Sequence, residues 1–189
     1  MNYGVYKNAR NAAWQCIIDH KINTLPVKVS AIASANNISI IKNSQVNLLN
    51  DNKSGSTIIQ DNKFYIVYRD TDSICRCRFT IAHELGHFFL GHLILDNTFE
   101  INTQSEHEAN VFARALLAPA CVLHELHALE PEQIALLCNI SMESATYRSE
   151  RMKILEERNA FYLHPLERRV RDQFEDFINK QMDSPANDF

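Results

Sequence analysis

Nowhere in these 189 residues does an apolar run reach the 18 positions that a membrane-spanning helix requires; His, Glu or Arg interrupts every long stretch. A transmembrane helix is excluded on that ground, and no membrane partner is expected. The opening MNYGVYKNAR lacks a charged-then-apolar signal pattern, so the expectation is a chain that is not secreted. Basic residues are not in excess either: 19 Lys and Arg against 23 Asp and Glu leave a formal charge of −4, which argues against broad attraction to nucleic acid. Paired cysteines are also missing. Cys16, Cys75, Cys77, Cys121 and Cys138 are odd in number and irregular in spacing, and Cys75-Arg-Cys77 is not a two-residue-spaced metal or redox pair. Reduced thiols in a cytoplasm, packed as small hydrophobes, are the expectation. What remains, 46% hydrophobic and 22% charged, is the composition of a soluble globular protein with one core of ordinary size, or one plus a small appendage.

The chemistry is concentrated in His83-Glu84-Leu85-Gly86-His87. Two histidines four apart on a helix lie about 40° from each other around the axis, so both imidazoles project from one stripe. That spacing suits two corners of a tetrahedral zinc, and the glutamate between them can reach a water on the ion. Two surface histidines one turn apart need no metal, but the surroundings here are not those of a surface. Phe79 to Leu90 is apolar nearly all round, with Ile81, Leu85 and Phe88 opposite His83 and Ala82 and Phe89 on one flank, which describes a buried helix. The exception is the stripe Thr80, His83, Glu84 and His87. Buried polar groups cost roughly 2–7 kcal/mol each when unpaired, so this stripe needs partners, and a metal satisfies both histidines at once. The residues predict a zinc-dependent peptidase.

A catalytic zinc keeps three protein ligands and an open position. A third histidine six residues after His87 would fall on Leu93, which rules that arrangement out, and His92 is one short. A carboxylate on a following helix is the other common solution, and Gln104 to Leu117 has a strong helical pattern. Glu106 shares a face with Ala109, Asn110, Ala113 and Leu117, whereas Glu108 points about 160° away beside Val111 and Ala115. Alanines let another helix approach closely, so Glu106 is the better placed of the two. An ordinary first-turn acid favoured by the helix dipole is the plainer reading of it. Asn110 is placed to hydrogen-bond a ligand. His107, about 100° off that face, is a weaker candidate.

Along the rest of the chain, helices are predicted over about 5–20, with Ala9, Ala13, Cys16 and Ile17 on one side and Trp14 as a packing anchor, and over about 28–36. Ile38 to Ile41, Thr57 to Ile59 and Phe64 to Val67 read as three short strands, the last two joined by a four-residue loop, Gln60 to Lys63. They form a small sheet laid against the HELGH helix. Asn43 to Ser56 is polar and predicted to be a mobile loop. Edge strands beside the metal of zinc peptidases can bind substrate by strand addition, and Phe64 to Arg69 is the candidate; the alternative is a sheet that only covers the core. Helices are predicted over about 120–129, 132–138, 142–157 and 165–181, with disorder after Met182. Pro131 to Arg148 resembles a helix-turn-helix with Asn139 at the turn and Ser141 as N-cap. Its second helix would show Thr146, Arg148, Arg151 and Lys153 against Glu143, Glu150, Glu156 and Glu157, a mixed surface that argues against direct DNA binding. Tyr147, His124 and His127 are candidates for stabilising an oxyanion.

Arg78 to His92, RFTIAHELGHFFLGH, followed by Glu106 to Pro119, EHEANVFARALLAP, resembles the ImmA/IrrE family of zinc metallopeptidases. Leu25 to Ile40 looks like that family's short helix leading into its first strand, and the similarity covers roughly residues 5 to 155. The resemblance implies an α+β fold with a zincin-like core over residues 1–120; the helical pattern beyond it is read as a helix-turn-helix-like extension over 121–160 and a C-terminal helix and tail over 161–189. Carried over by position, His83 and His87 match the zinc-binding histidines, Glu84 the catalytic glutamate and Glu106 the acidic third ligand. Ala118 stands where the family often has a methionine before the proline. The implied role is cleavage of a helix-turn-helix transcriptional repressor, which would derepress mobile-element or stress genes. The alternative is a non-catalytic, zinc-containing regulatory binding protein. Such a structural site tends to be closed by four protein ligands and has no need of Glu84, and no cysteine falls in either motif.

Overall fold

The computed structural model of the chain describes residues 3–92 and 103–183, so the tail expected to be disordered lies almost wholly outside the described residues. The architecture is α+β: helices and a small three-stranded sheet. Two compact units make up the chain, one of Met1–Ala13 with Lys28–Arg114 and one of Trp14–Val27 with Ala115–Phe189.

The first unit opens with helix α1 (Tyr3–Asp19), whose last residues belong to the second unit. The expected stripe is buried: Ala9, Ala13, Cys16 and Ile17 are all nearly inaccessible. Helix α2 (Val29–Ala35) leads into strand β1 (Ile38–Lys42). Strands β2 (Gly55–Gln60) and β3 (Lys63–Tyr68) follow. The sheet order is β1-β3-β2, with β1 parallel to β3 (Ile38 opposite Phe64) and β2 antiparallel to it (Gln60 opposite Lys63). The hairpin loop is therefore two residues, not four. Asp61 and Asn62 both have positive φ, 52° and 58°. That is the backbone of a tight hairpin turn, which short polar side chains tolerate.

The segment expected to be a mobile loop is tied down. It contains a single helical turn, α3 (Asn43–Val46). The Asn43 side chain accepts from the amides of Leu48 and Leu49. Asp70 accepts from the amide and hydroxyl of Ser44, which holds its carboxyl below the ordinary range. Arg69 donates to the carbonyls of Asn50 and Lys53. Polar composition signalled a loop here; long-range hydrogen bonds to Arg69 and Asp70 hold it.

Helix α4 (Ile74–Phe89) starts at Ser73, whose hydroxyl accepts from the Arg76 amide. It packs against α2, β2 and β3, with Ala82 and Leu85 inaccessible and the Phe88 ring edge-on to Phe64. Gly91 (φ +74°) ends it, and the His92 amide reaches back to the His87 carbonyl, a left-handed cap that turns the chain sharply. Helix α5 (Thr103–Leu117) lies against it. A Cβ on Gly86 would sit 3.1 Å from the Ala109 backbone, so the small residues of both helices permit the close approach.

The second unit is helical: α6 (Ala120–Glu125), α7 (Pro131–Cys138), α8 (Met142–Glu157), α9 (Pro165–Gln173) and α10 (Glu175–Asp183). Asn139 takes the left-handed conformation at the α7–α8 turn and Ser141 caps α8. Helix α6 is shorter than expected because His127 (φ 52°) adopts the left-handed cap that glycine usually fills. The long helix expected over 165–181 breaks at Phe174, whose ring is wholly buried. Trp14 is buried against His164. Arg148, expected on the exposed face of α8, is buried instead.

Candidate metal centre

Helix α4 supplies three polar side chains to one stripe. His83 and His87 are one turn apart with their Nε2 atoms 3.1 Å from each other, and Glu84 lies between them in sequence. Glu106, in the first turn of α5, reaches across. Its Oε2 is 3.2 Å from His83 Nε2 and its Oε1 is 3.2 Å from His87 Nε2. One ligand atom from each of the three residues falls within 4.8 Å of the others. The structure thus brings together the two histidines and the one carboxylate that the helical wheel favoured. The competing candidates do not join them. Glu108 accepts from His92, and Nε2 of His107 is buried with no hydrogen-bond partner among the described residues.

Hydrogen bonds behind these side chains set their protons. His83 Nδ1 is 3.1 Å from Asn110 Oδ1, an acceptor, so Nδ1 carries the hydrogen and Nε2 presents its lone pair to the cluster. Burial first, and the neighbouring His83 second, push the His87 pKa down to about 4, which keeps its imidazole neutral and able to act as a ligand. The adjoining imidazoles, His83 ahead of His87, hold the Glu106 carboxyl below its usual range. Two imidazole nitrogens and a carboxylate therefore converge at a spacing where they repel unless a positive charge sits among them. A divalent cation meets that requirement, and two imidazoles with one carboxylate are a donor set suited to zinc.

Glu84 is 92% buried. Burial raises its pKa, and the Thr57 hydroxyl, donating to Oε2 at 2.7 Å, opposes that rise. Thr57 belongs to β2, and it was not anticipated from sequence. Gly55, two residues earlier on the same strand, lets β2 come this close: a Cβ there would meet Thr80 Cγ2 at 2.3 Å. The expected substrate strand needs correction. Phe64 to Arg69 includes β3, the central strand, whose two edges are both paired, so it has no room for an added strand. The edge strand that touches Glu84 is β2.

In the second unit, His124 is hydrogen-bonded to the Tyr162 hydroxyl at 3.0 Å and stacked on Phe161, so its ring is committed there. Tyr147 lies half exposed on α8.

Compared with protein-family models, residues 41–150 match the peptidase M78 family, described as an IrrE N-terminal-like domain. The match spans more than half of the chain and includes all of α4 and α5. A comparison with curated proteins gives no match.

Proposed function

The chain belongs to the IrrE N-terminal-like peptidase M78 family, and on that premise we propose that it is a zinc-dependent endopeptidase acting on a helix-turn-helix transcriptional repressor. The observation that carries the catalytic part is the convergence of His83, His87 and Glu106 beside a buried carboxylate. When bound, zinc supplies Lewis acidity: it lowers the pKa of water toward about 7 and polarises the scissile carbonyl. Glu84 is the general base, taking the proton of the attacking water and returning it to the leaving amine. Its raised pKa suits it to both halves of that transfer. Asn110 orients His83, and Thr57 orients Glu84. Extended substrate lies along β2 by strand addition, with backbone hydrogen bonds supplying most of the affinity.

The repressor is the finer part of the proposal. It rests on the family resemblance. The experiment is incubation of zinc-loaded protein with the repressor encoded beside it, alongside a Glu84→Gln variant. The wild type is expected to cut once, and the variant is expected to retain zinc while losing cleavage by about 10²–10⁴-fold. An intact repressor with the wild type would overturn the substrate. Unchanged cleavage by Glu84→Gln would overturn the mechanism.

A further inference from the structure

Glu108 and His92 stand outside the three ligands, yet they continue the cluster. Gly91 terminates α4 in a left-handed cap, which folds the next residue back over the last turn. His92 Nδ1 thereby comes to 3.0 Å from His87 Nδ1. Its other nitrogen, Nε2, is 2.8 Å from Glu108 Oε2. The second oxygen of Glu108 accepts from the Gln104 side-chain amide at 3.0 Å. The side chains of His92 and Glu108 are both largely buried, at 14% and 18% exposed.

The direction of every hydrogen in this chain follows from its far end. A carboxylate accepts and does not donate, so His92 Nε2 must carry its hydrogen. In a neutral imidazole the other nitrogen is then an acceptor, so His92 Nδ1 takes the hydrogen of His87 Nδ1. His87 Nε2 is left with its lone pair facing His83 and Glu106. We infer that Glu108 and His92 are positioning residues that hold His87 in its ligand tautomer and orientation, so that α5 serves the metal twice, directly through Glu106 and at one remove through Glu108. Groups that hydrogen-bond to metal-ligating histidines in this way typically contribute 10–100-fold in metal affinity. The sequence places the two residues 16 apart across a helix end, and the helical wheel turns Glu108 away from the Glu106 face. The capping turn at Gly91 supplies the missing link.

This inference rests on the metal-site reading, and the experiment separates the two. Zinc affinity is measured by chelator competition on the full chain and on His92→Phe, Glu108→Ala, Glu108→Gln and the double variant His92→Phe/Glu108→Ala. Both single losses are expected to weaken zinc 10–100-fold. The double variant is expected to be no weaker than the worse single one, because both act through His87. Glu108→Gln, which keeps an acceptor, is expected to stay closer to wild type. Should a variant fail to fold, long-range ¹H–¹⁵N correlation of histidine rings in the wild-type protein gives an independent readout, with His92 expected as the Nε2–H tautomer. Tight zinc binding by the wild type with equal affinity in the variants, or a His92 protonated at Nδ1 alone, overturns the relay. No zinc binding by the wild type overturns the metal centre and the relay together.

Discussion

At the residue scale, the carboxylate that does the proposed chemistry is not autonomous. Glu84 is desolvated by burial in its own helix, and an ionised carboxyl there is costly unless hydrogen-bonded. Thr57 supplies such a bond from another element. Hydrogen bonds to charged groups contribute roughly 1.5–3 kcal/mol. Removing this one with the near-isosteric Thr57→Val is therefore expected to lower kcat by about tenfold or more, since 1.36 kcal/mol is one decade in rate. KM and zinc content should be little changed, and Thr57→Ser should restore most of the rate. Steady-state kinetics on a fluorogenic peptide would check this; equal kcat in the valine variant would mean that Glu84 is positioned by its helix alone.

At the scale of elements, the site depends on two close approaches, both made by glycine. Gly86 lets α4 lie against Ala109 of α5, and Gly55 lets β2 reach Thr80 and Glu84. Gly86→Ala sets two effects against each other. Alanine raises helix propensity by roughly 1 kcal/mol, whereas overpacking against helix backbone costs roughly 1–3 kcal/mol. The contact atoms at 3.1 Å are the Ala109 Cα and carbonyl oxygen, which yield only if the helix moves. The expected result is a net loss of about 1 kcal/mol in denaturant titration, with weaker zinc binding because Glu106 rides on the displaced helix. Gly55→Ala meets a tighter contact, 2.3 Å to a stiff β-branched side chain. It should lower kcat as Thr57→Val does, while zinc affinity changes little. If Gly86→Ala proves more stable than wild type with unchanged zinc affinity, the spacing of the two helices is not what sets the site.

For the whole molecule, three bulk properties follow. Cys16, Cys121 and Cys138 are buried, and burial pushes the Cys16 thiol up to about 12 and the Cys121 thiol higher still. Thiolate is the reactive form, so alkylation of the native protein near pH 8 should label Cys75 and Cys77 first. The other three should react only after unfolding, as followed by mass spectrometry. Among the described residues, no helix is long and apolar enough to cross a membrane. Metal binding should stabilise the unit that holds the site by about 2.7 kcal/mol when zinc is at a hundred times its Kd. A chelator should accordingly lower that unit's thermal transition and added zinc should restore it, as followed by circular dichroism; a transition indifferent to both would remove the ion from the folded state's energetics.

How much of this was legible before any coordinates depends on the range of the interaction concerned. Helical periodicity and the four-residue spacing of His83 and His87 are local properties, so α1, α5 and α8 were read nearly to their ends, α4 was read only from Phe79 although it starts at Ile74, and the alanine face of α5 singled out Glu106 as the carboxylate that would meet them. The helix stops were harder. With four glycines in the chain, left-handed positions fall to residues such as His127, Asn139 and Asp61, and His127 carries no stop signal of its own. Three features were decided by tertiary structure: that β2, an edge strand, and not the central β3 lies beside Glu84, that Thr57 holds Glu84 from 27 residues away, and that His92 and Glu108 back His87. Strand order and long-range hydrogen bonds arise from how elements pack, and no periodicity within one element encodes which neighbour it will meet.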